Sequence, residues 1–148
     1  MTNERIITGE EAFFLHITSA ASQTQKMCEE ALRVCGVTVA EYTLLRIVEN
    51  TPDITAGEAR ARLYATAPSI AQLVAQLEGK KLLQRGQDPG DARRLPLRLT
   101  ATGKKSVQKA KRAISQLLSR LKLPQGLLDS LTTNLSTYLS SLPPYGTK

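Results

Sequence analysis

Between residues 10 and 34, apolar or small side chains return at helical spacing (Ala12, Leu15, Ser19, Ser22, Met27, Ala31 and Val34) with no proline among them. The pattern predicts one long helix, which Gly36 ends. Thr38 followed by Glu41 forms a capping box, because the Thr oxygen and the Glu carboxylate each satisfy an amide left unpaired at a helix start. A second helix is therefore expected to about Glu49, with Tyr42, Leu45, Ile47 and Val48 turned inward. Turn chemistry follows in Asn50-Thr51-Pro52-Asp53. Thr55 and Glu58 repeat the capping pattern and open a short third helix over 56–63, after which Tyr64-Ala65 must turn tightly.

A fourth helix is predicted from Thr66, as N-cap, to about Lys80. Pro68 falls in the first turn, where its missing amide hydrogen costs little. Ile70, Leu73, Val74 and Leu77 make the apolar face, which leaves Ser69, Gln72 and Gln76 together on the solvent side. Two short helices joined by a tight turn, the second exposing short hydrogen-bonding groups, form the pattern of a helix-turn-helix whose second helix enters a major groove. The period then changes. Residues 82–85 and 95–99 alternate like strands around the turn Asp88-Pro89-Gly90-Asp91, giving a basic-edged hairpin in the position of a wing, with Arg93 and Arg94 near its tip. Pro96 removes one ladder donor, so only partial pairing is expected.

From Thr102 the helical period resumes through Val107, Ala110, Ile114, Leu117, Leu118 and Leu121, and stops near Leu123-Pro124. A last helix repeats Leu128, Leu131, Leu135, Tyr138 or Leu139, and Leu142. That is more apolar surface than a terminal helix needs, unless a second chain or this chain's own first helix covers it.

Length and composition fit one ordinary globular domain: 148 residues, 41% hydrophobic and 22% charged. Charge changes the picture once it is located. The net charge of +7 conceals a segment, Lys80–Arg112, that carries eleven Lys or Arg against Asp88 and Asp91, while the remaining chain is slightly acidic. A concentrated positive segment suits phosphate contact, since each neutralised phosphate releases counterions. Aromatics are few (Phe13, Phe14, Tyr42, Tyr64, Tyr138 and Tyr145), so duplex DNA is favoured over stacked single strands. The uncharged stretch 63–77 is too polar to cross a bilayer, and Met1–Gly9 has no leader pattern, so a cytoplasmic location away from membranes is expected. With one histidine, His16, and only Cys28 and Cys35, no metal site, cofactor or catalytic constellation is expected, and an enzyme is disfavoured.

The run Asp91-Ala92-Arg93-Arg94-Leu95-Pro96-Leu97-Arg98-Leu99-Thr100-Ala101-Thr102-Gly103 resembles the MarR family signature, an Asp-x-Arg followed, after five intervening residues, by Leu-Thr and then Gly. The resemblance extends over about residues 10–142. It implies a mainly α fold with a small β-hairpin wing, that is, a winged helix-turn-helix (37–101) between N- and C-terminal dimerisation helices (10–36 and 102–142), all in one domain. It implies a homodimeric regulator, a repressor of transcription that binds double-stranded DNA. Thr66, Pro68, Ser69, Gln72 and Gln76 then belong to the recognition helix. Gln72 is placed to pair with adenine, Arg85, Arg93 and Arg94 belong to the wing, and Asp91 is expected to orient an arginine. This chain departs from the family pattern in having Gln72 and Gln76 where many relatives carry arginine. The family's Glu-Lys-Lys-Gly run is here Glu78-Gly79-Lys80-Lys81, which leaves Lys81 where a left-handed cap is expected.

Members of such a family respond to small aromatic or phenolic ligands or to cysteine oxidation. His16, Tyr42 and Arg46 are candidates to line a ligand pocket, against a plain reading as helix-face residues. Cys28 and Cys35 are candidate redox thiols, with Lys26 and Arg33 near in sequence to favour a thiolate and Glu29 and Glu30 to oppose it. A rival reading is a winged-helix protein-interaction module with weak DNA binding.

Overall fold

The computed structural model describes residues 9–143. Residues 1–8, on which the leader reading rests, and Tyr145 lie outside the described residues. Six helices and one hairpin follow in order: α1 Gly9–Arg33, α2 Val39–Asn50, α3 Ala56–Arg62, α4 Ala67–Gly79, β1 Leu83–Arg85, β2 Leu97–Leu99, α5 Ala101–Arg120 and α6 Gln125–Ser141. The fold is mainly α with an antiparallel hairpin, a winged helix-turn-helix flanked by long terminal helices. No helix among the described residues is long and apolar enough to cross a membrane.

Local chemistry sets the helix starts. Both capping boxes form: Thr38 with Glu41 opens α2, and Thr55 with Glu58 opens α3. Thr66 accepts the Ser69 amide at the start of α4, and Thr100 accepts the Gly103 amide at the start of α5. The α5 start therefore falls at Thr100, ahead of the expected Thr102, because Thr100 has both the extended backbone and the hydroxyl that a cap needs.

The core gathers Leu44, Leu45 and Val48 of α2, Ala59 of α3, Ile70, Val74 and Leu77 of α4, Leu83 and Leu97 of the hairpin, and Val107 and Ala110 of α5. One residue of α1, Leu32, is buried with them. The expected stripe ran through Val34 instead, which is 73% exposed. The helix stops at Arg33, and the left-handed Gly36 reverses the chain, with the Cys35 and Gly36 amides bonded to the Leu32 and Arg33 carbonyls. Val34 thus lies beyond the helix and off its face. Leu44, which the expected stripe of α2 passed over, is fully buried.

The buried carboxylate of Glu41 joins two ends of this region. It accepts the Thr38 amide at 2.9 Å and the Lys80 ammonium at 2.7 Å, while Lys80 also donates to the Gly36 carbonyl at 3.0 Å. The end of α4 is therefore fastened to the α1–α2 junction. Lys81 takes the left-handed conformation, φ 58°, that the displaced glycine predicted. A side chain there costs on the order of 1 kcal/mol.

A closer contact sets the base of the hairpin. The Thr100 hydroxyl donates to the Lys81 carbonyl at 2.6 Å, the Thr100 amide donates to the Leu82 carbonyl at 3.2 Å, and Gly103 lies so near Leu82 that a Cβ would overlap its carbonyl oxygen. Gly79, on an open face of α4, meets no such neighbour. Gly103→Ala is therefore expected to cost about 3 kcal/mol or more, whereas Gly79→Ala gains about 0.5–1 kcal/mol from helix propensity. Urea midpoints at equal protein concentration test the pair; equal and small shifts would refute the close approach.

Candidate nucleic-acid interface

Four residues between α3 and α4 make the turn of the helix-turn-helix, with Tyr64 held left-handed at φ 50°. Its hydroxyl donates to the Leu139 carbonyl of α6 at 2.7 Å. Helix α4 buries Ile70, Val74 and Leu77 and half-buries Leu73, as its period predicted. Thr66, Pro68, Ser69, Gln72 and Gln76 are all exposed. Ser69, Gln72 and Gln76 lie three and four residues apart, on one stripe of α4, opposite its core face. Their side chains offer one hydroxyl and two amides, groups able to read base edges.

The hairpin pairs Leu83 with Leu99, Gln84 with Arg98, and Arg85 with Leu97. Pro96 falls just outside β2, where the lost donor does no harm. Its carbonyl accepts the Gly86 amide at 2.6 Å, and it bridges to Thr55, while the Leu97 amide donates to the Ile54 carbonyl at 2.8 Å. The entry to α3 thus meets the hairpin through an isolated bridge, a long-range pairing with no local signal.

The arginines of this region divide by what holds them. Arg94 is tied inward: it donates to Asp88 at 3.1 Å and to the Asp53 carbonyl at 3.1 Å, and pairs with Glu58 at 3.5 Å. Arg98 clasps the Asp53 carboxylate at 2.8 Å, and Arg85 pairs with Glu78 at 3.3 Å. Arg93 is exposed, and its side chain has no ionic partner among the described residues. The expectation that Asp91 orients an arginine is corrected. Asp91 accepts the backbone amide of Arg93 at 2.9 Å, a turn-closing bond, and the carboxylate that holds an arginine is Asp88. Asp88 also accepts the Gly90 amide, so it shapes the turn and clamps Arg94 at once.

Two basic residues escaped the sequence reading. Arg60 and Arg62 are exposed on α3, the helix that precedes α4, and Arg62 donates to Thr51 at 2.6 Å. They lay outside the window in which charge was concentrated. Their position in the last turn of the first helix of the motif was the available signal, because that helix crosses the phosphate backbone in this architecture.

The other candidates are dispersed. Tyr42 and Arg46 lie one turn apart on α2, and Arg46 is paired with Glu49. Burial pushes the Tyr42 phenol up, with Arg46 opposing, and Glu49 and Cys28 adding to the rise. His16 is exposed on α1, about 18 Å along the helix from Cys28, so this chain alone does not bring it to Tyr42 and Arg46. Cys28 and Cys35 are free thiols. Burial raises the Cys28 pKa, which disfavours the thiolate that oxidation requires. Among the described residues no group of three or more His, Cys, Asp or Glu is arranged to hold a metal ion.

The Asp88–Arg94–Glu58 cluster has a pH consequence. Hydrogen bonds from the Gly90 amide and Arg94 hold Asp88 below the usual carboxylate range, and bonds from Thr55, then Arg94, hold Glu58 below it. Because both are lowered by folding, their contribution is complete above the unfolded carboxylate value of about 4 and is lost as pH falls through the lowered folded values. Acidification is expected to loosen the hairpin turn before the core, and Asp88→Asn is expected to loosen it at neutral pH. Amide chemical shifts of Gly90, Asp91 and Arg94 report this; shifts unchanged by both treatments would refute the clamp.

Residues 36–94, which span α2 to the hairpin turn, match the model of the MarR family. A protein from Thauera aromatica, named as a transcriptional regulatory protein for the hcr operon, is 30% identical over 79 residues, which cover 53% of this chain and 48% of that protein. An HTH-type transcriptional repressor of Mycobacterium tuberculosis is 26% identical over 99 residues, 64% of this chain and 71% of that one. The chain thus aligns with about half the length of the first relative. Among solved structures, CouR from Rhodococcus jostii RHA1 bound to p-coumaroyl-CoA superposes with a TM-score of 0.80 at 20% identity, covering 90% of this chain and 95% of CouR. CouR, named a transcriptional repressor, has also been solved on a 23-mer DNA duplex, where the TM-score is 0.78 at 23% identity over 84% of this chain and 89% of that one. The signature around Asp91–Gly103 and the match over residues 36–94 make this chain similar to the MarR family, and its winged fold is shared with CouR.

Proposed function

We propose that this chain is a sequence-specific, double-stranded DNA-binding transcriptional regulator of the cytoplasm, a repressor that acts as a homodimer and is released by a small ligand, with residues 1–148 forming one winged-helix domain. The observation that carries the reading is the exposed stripe Ser69, Gln72 and Gln76 on α4 beside a hairpin whose Arg93 is exposed and without an ionic partner among the described residues. The stripe supplies groups for base edges in a major groove, with Thr66 and Pro68 at the helix start. Arg93 supplies a guanidinium for the adjacent minor groove. Arg94 and Arg85, already paired, position the wing and add to the field that attracts phosphate. CouR on a DNA duplex, in the same fold, supports the mode of engagement.

The terminal helices support the dimer. No residue of α6 is buried, and Leu131, Leu135 and Leu139 remain exposed along one stripe, while Phe13 meets Tyr138 edge-on at a ring separation of 5.3 Å. Helix α6 thus touches α1 of its own chain and leaves most of its leucines for a second copy. A ligand of aromatic or phenolic character near Tyr42 and Arg46, with His16 contributed from elsewhere in the dimer, fits the precedent of CouR with p-coumaroyl-CoA. The raised Cys28 pKa counts against the redox alternative at that thiol.

Two measurements test this. Purified protein titrated with duplex from its own upstream region is expected to bind in a salt-sensitive way and to prefer that duplex over a scrambled one. Gln72→Ala should cost about 1–3 kcal/mol on the preferred duplex alone. Arg93→Ala should weaken both duplexes and reduce the salt slope by about 1. A folded dimer that binds neither its upstream duplex nor genomic fragments at low salt would instead favour a protein-interaction module. Independently, Leu131→Lys with Leu135→Lys is expected to yield a folded monomer by light scattering; a persisting dimer would move the interface off α6.

A further inference from the structure

The turn between α3 and α4 is a Schellman closure in every respect but its residue. The Tyr64 amide donates to the Ala61 carbonyl at 3.3 Å and the Ala65 amide to the Arg60 carbonyl at 3.1 Å, the two bonds by which such a turn satisfies the end of a helix. The left-handed position in that motif is the one glycine occupies at least cost. Here it holds a tyrosine, at φ 50°. A bulky side chain in that region is an outlier, which persists only where other contacts hold it. Tyr64 has such a contact 75 residues away, where its hydroxyl donates to the Leu139 carbonyl at 2.7 Å.

The Leu139 carbonyl belongs to the last turn of α6, where carbonyls lack helical partners and no basic side chain stands to serve them. It accepts one further bond, from the Leu142 amide at 3.3 Å. No residue of α6 is buried, and the neighbouring Tyr138 meets Phe13 of α1 edge-on. Three elements therefore meet at this end of α6: the first turns of α1, the last turn of α6 and the turn of the helix-turn-helix. Two residues beyond Tyr64, Thr66 caps α4. A displacement of α6 thus reaches, through one hydroxyl, the start of the helix that carries Ser69, Gln72 and Gln76.

We infer that Tyr64 is a positioning residue for DNA recognition: bonded to α6, it fixes where α4 stands relative to the helix that faces the second copy, and so sets the separation of half-sites that the dimer accepts. The inference rests on the DNA-binding homodimer proposed above. It assigns specificity to a residue that acts without reading a base. In a two-fold dimer the two copies of α4 enter successive major grooves, and one base pair added between half-sites moves the second by roughly 3.4 Å and roughly 35°. The dimer follows that change only if its reading helices move against α6, which the Tyr64 bond resists.

Tyr64→Phe removes the hydroxyl alone and keeps the ring. With half-sites located by footprinting on the duplex that the wild-type protein prefers, one base pair inserted or removed between them is expected to weaken wild-type binding about tenfold, and binding by the Phe variant less than about threefold. Both proteins are expected to bind a duplex with a single half-site equally, which a disordered α4 would not allow. Tyr64→Gly suits the left-handed position and so guards against a misfolded turn; it is expected to lose the spacing preference as the Phe variant does. A preference that survives either substitution would refute the role of Tyr64 and leave the DNA-binding reading intact. A loss on the single half-site as large as that on the full duplex would refute it too. Amide hydrogen exchange, followed by mass spectrometry without DNA, tests the bond itself: the last turn of α6 is expected to exchange several-fold faster in Tyr64→Phe, with α2 unchanged. Unchanged exchange there would overturn the inference whatever the DNA result. A wild-type dimer that binds no duplex overturns it together with the proposed function, while faster exchange would still show the joint between the turn and α6.

Discussion

Everything that gives this molecule a directed wing depends on the close approach of α5 to the backbone of Leu82. A hairpin of three paired residues is too short to hold its own orientation. What fixes it is the meeting of one strand's start with the next helix's start: Thr100 bonded to the Lys81 and Leu82 carbonyls, and Gly103 seated where a side chain would overlap the Leu82 oxygen. The glycine of the family signature thus has a steric explanation. It permits a backbone contact that makes α5, β1 and β2 one unit, with Leu83, Leu97 and Val107 buried beneath.

The ionic groups around the hairpin act on this frame in a different way. Exposed pairs such as Arg98–Asp53 or Arg94–Glu58 contribute little stability one by one, because solvent screens them. Their effect is geometric. Asp53 accepts Arg98 through its carboxylate and Arg94 through its carbonyl, so the turn before α3 and the hairpin are cross-linked at two points. With the Thr55–Pro96 bridge, this ties the wing to the first helix of the motif. The buried Glu41–Lys80 pair does the same for the end of α4.

The helices were legible in the sequence because their signals are local. Thr38/Glu41, Thr55/Glu58 and Thr66 with Pro68 each mark a start within four residues, and the structure begins α2, α3 and α4 where these caps stand. The stripe Ser69, Gln72, Gln76 followed from period alone. What sequence reading missed was decided at long range. Nothing near Asp88 or Asp91 shows which carboxylate will meet Arg94; the outcome depends on the fold of the turn and on Glu58 and Asp53, distant in the chain. Leu32 displaced Val34 from the core because the chain reversal at Gly36 falls one residue too early for Val34 to stay on the helix. Pro96 stands just before β2, which pairs only partly, as its missing amide predicted; the contacts of this edge with Ile54 and Thr55 are what no hairpin pattern reveals.

Under the proposed function, these constraints bear on how affinity and discrimination divide between α4 and the wing. The exposed stripe of α4 is neutral, so under the proposed function it offers hydrogen-bond selectivity without the counterion release that drives binding to phosphate. Positive charge lies instead on the hairpin, on α5 and in the last turn of α3. Of the hairpin arginines, three are engaged by carboxylates, and each such bond must be kept, shared or broken when a phosphate approaches. A paired arginine therefore gives less net attraction than its charge suggests, and Arg93 gives more. Under the proposed function, selectivity resides in α4 while attraction rests on few charges of the wing, held in position by Gly103 and Asp88. Such a division makes recognition depend on the orientation of the wing relative to α4, which the Leu82 contact and the Asp53 cross-links control.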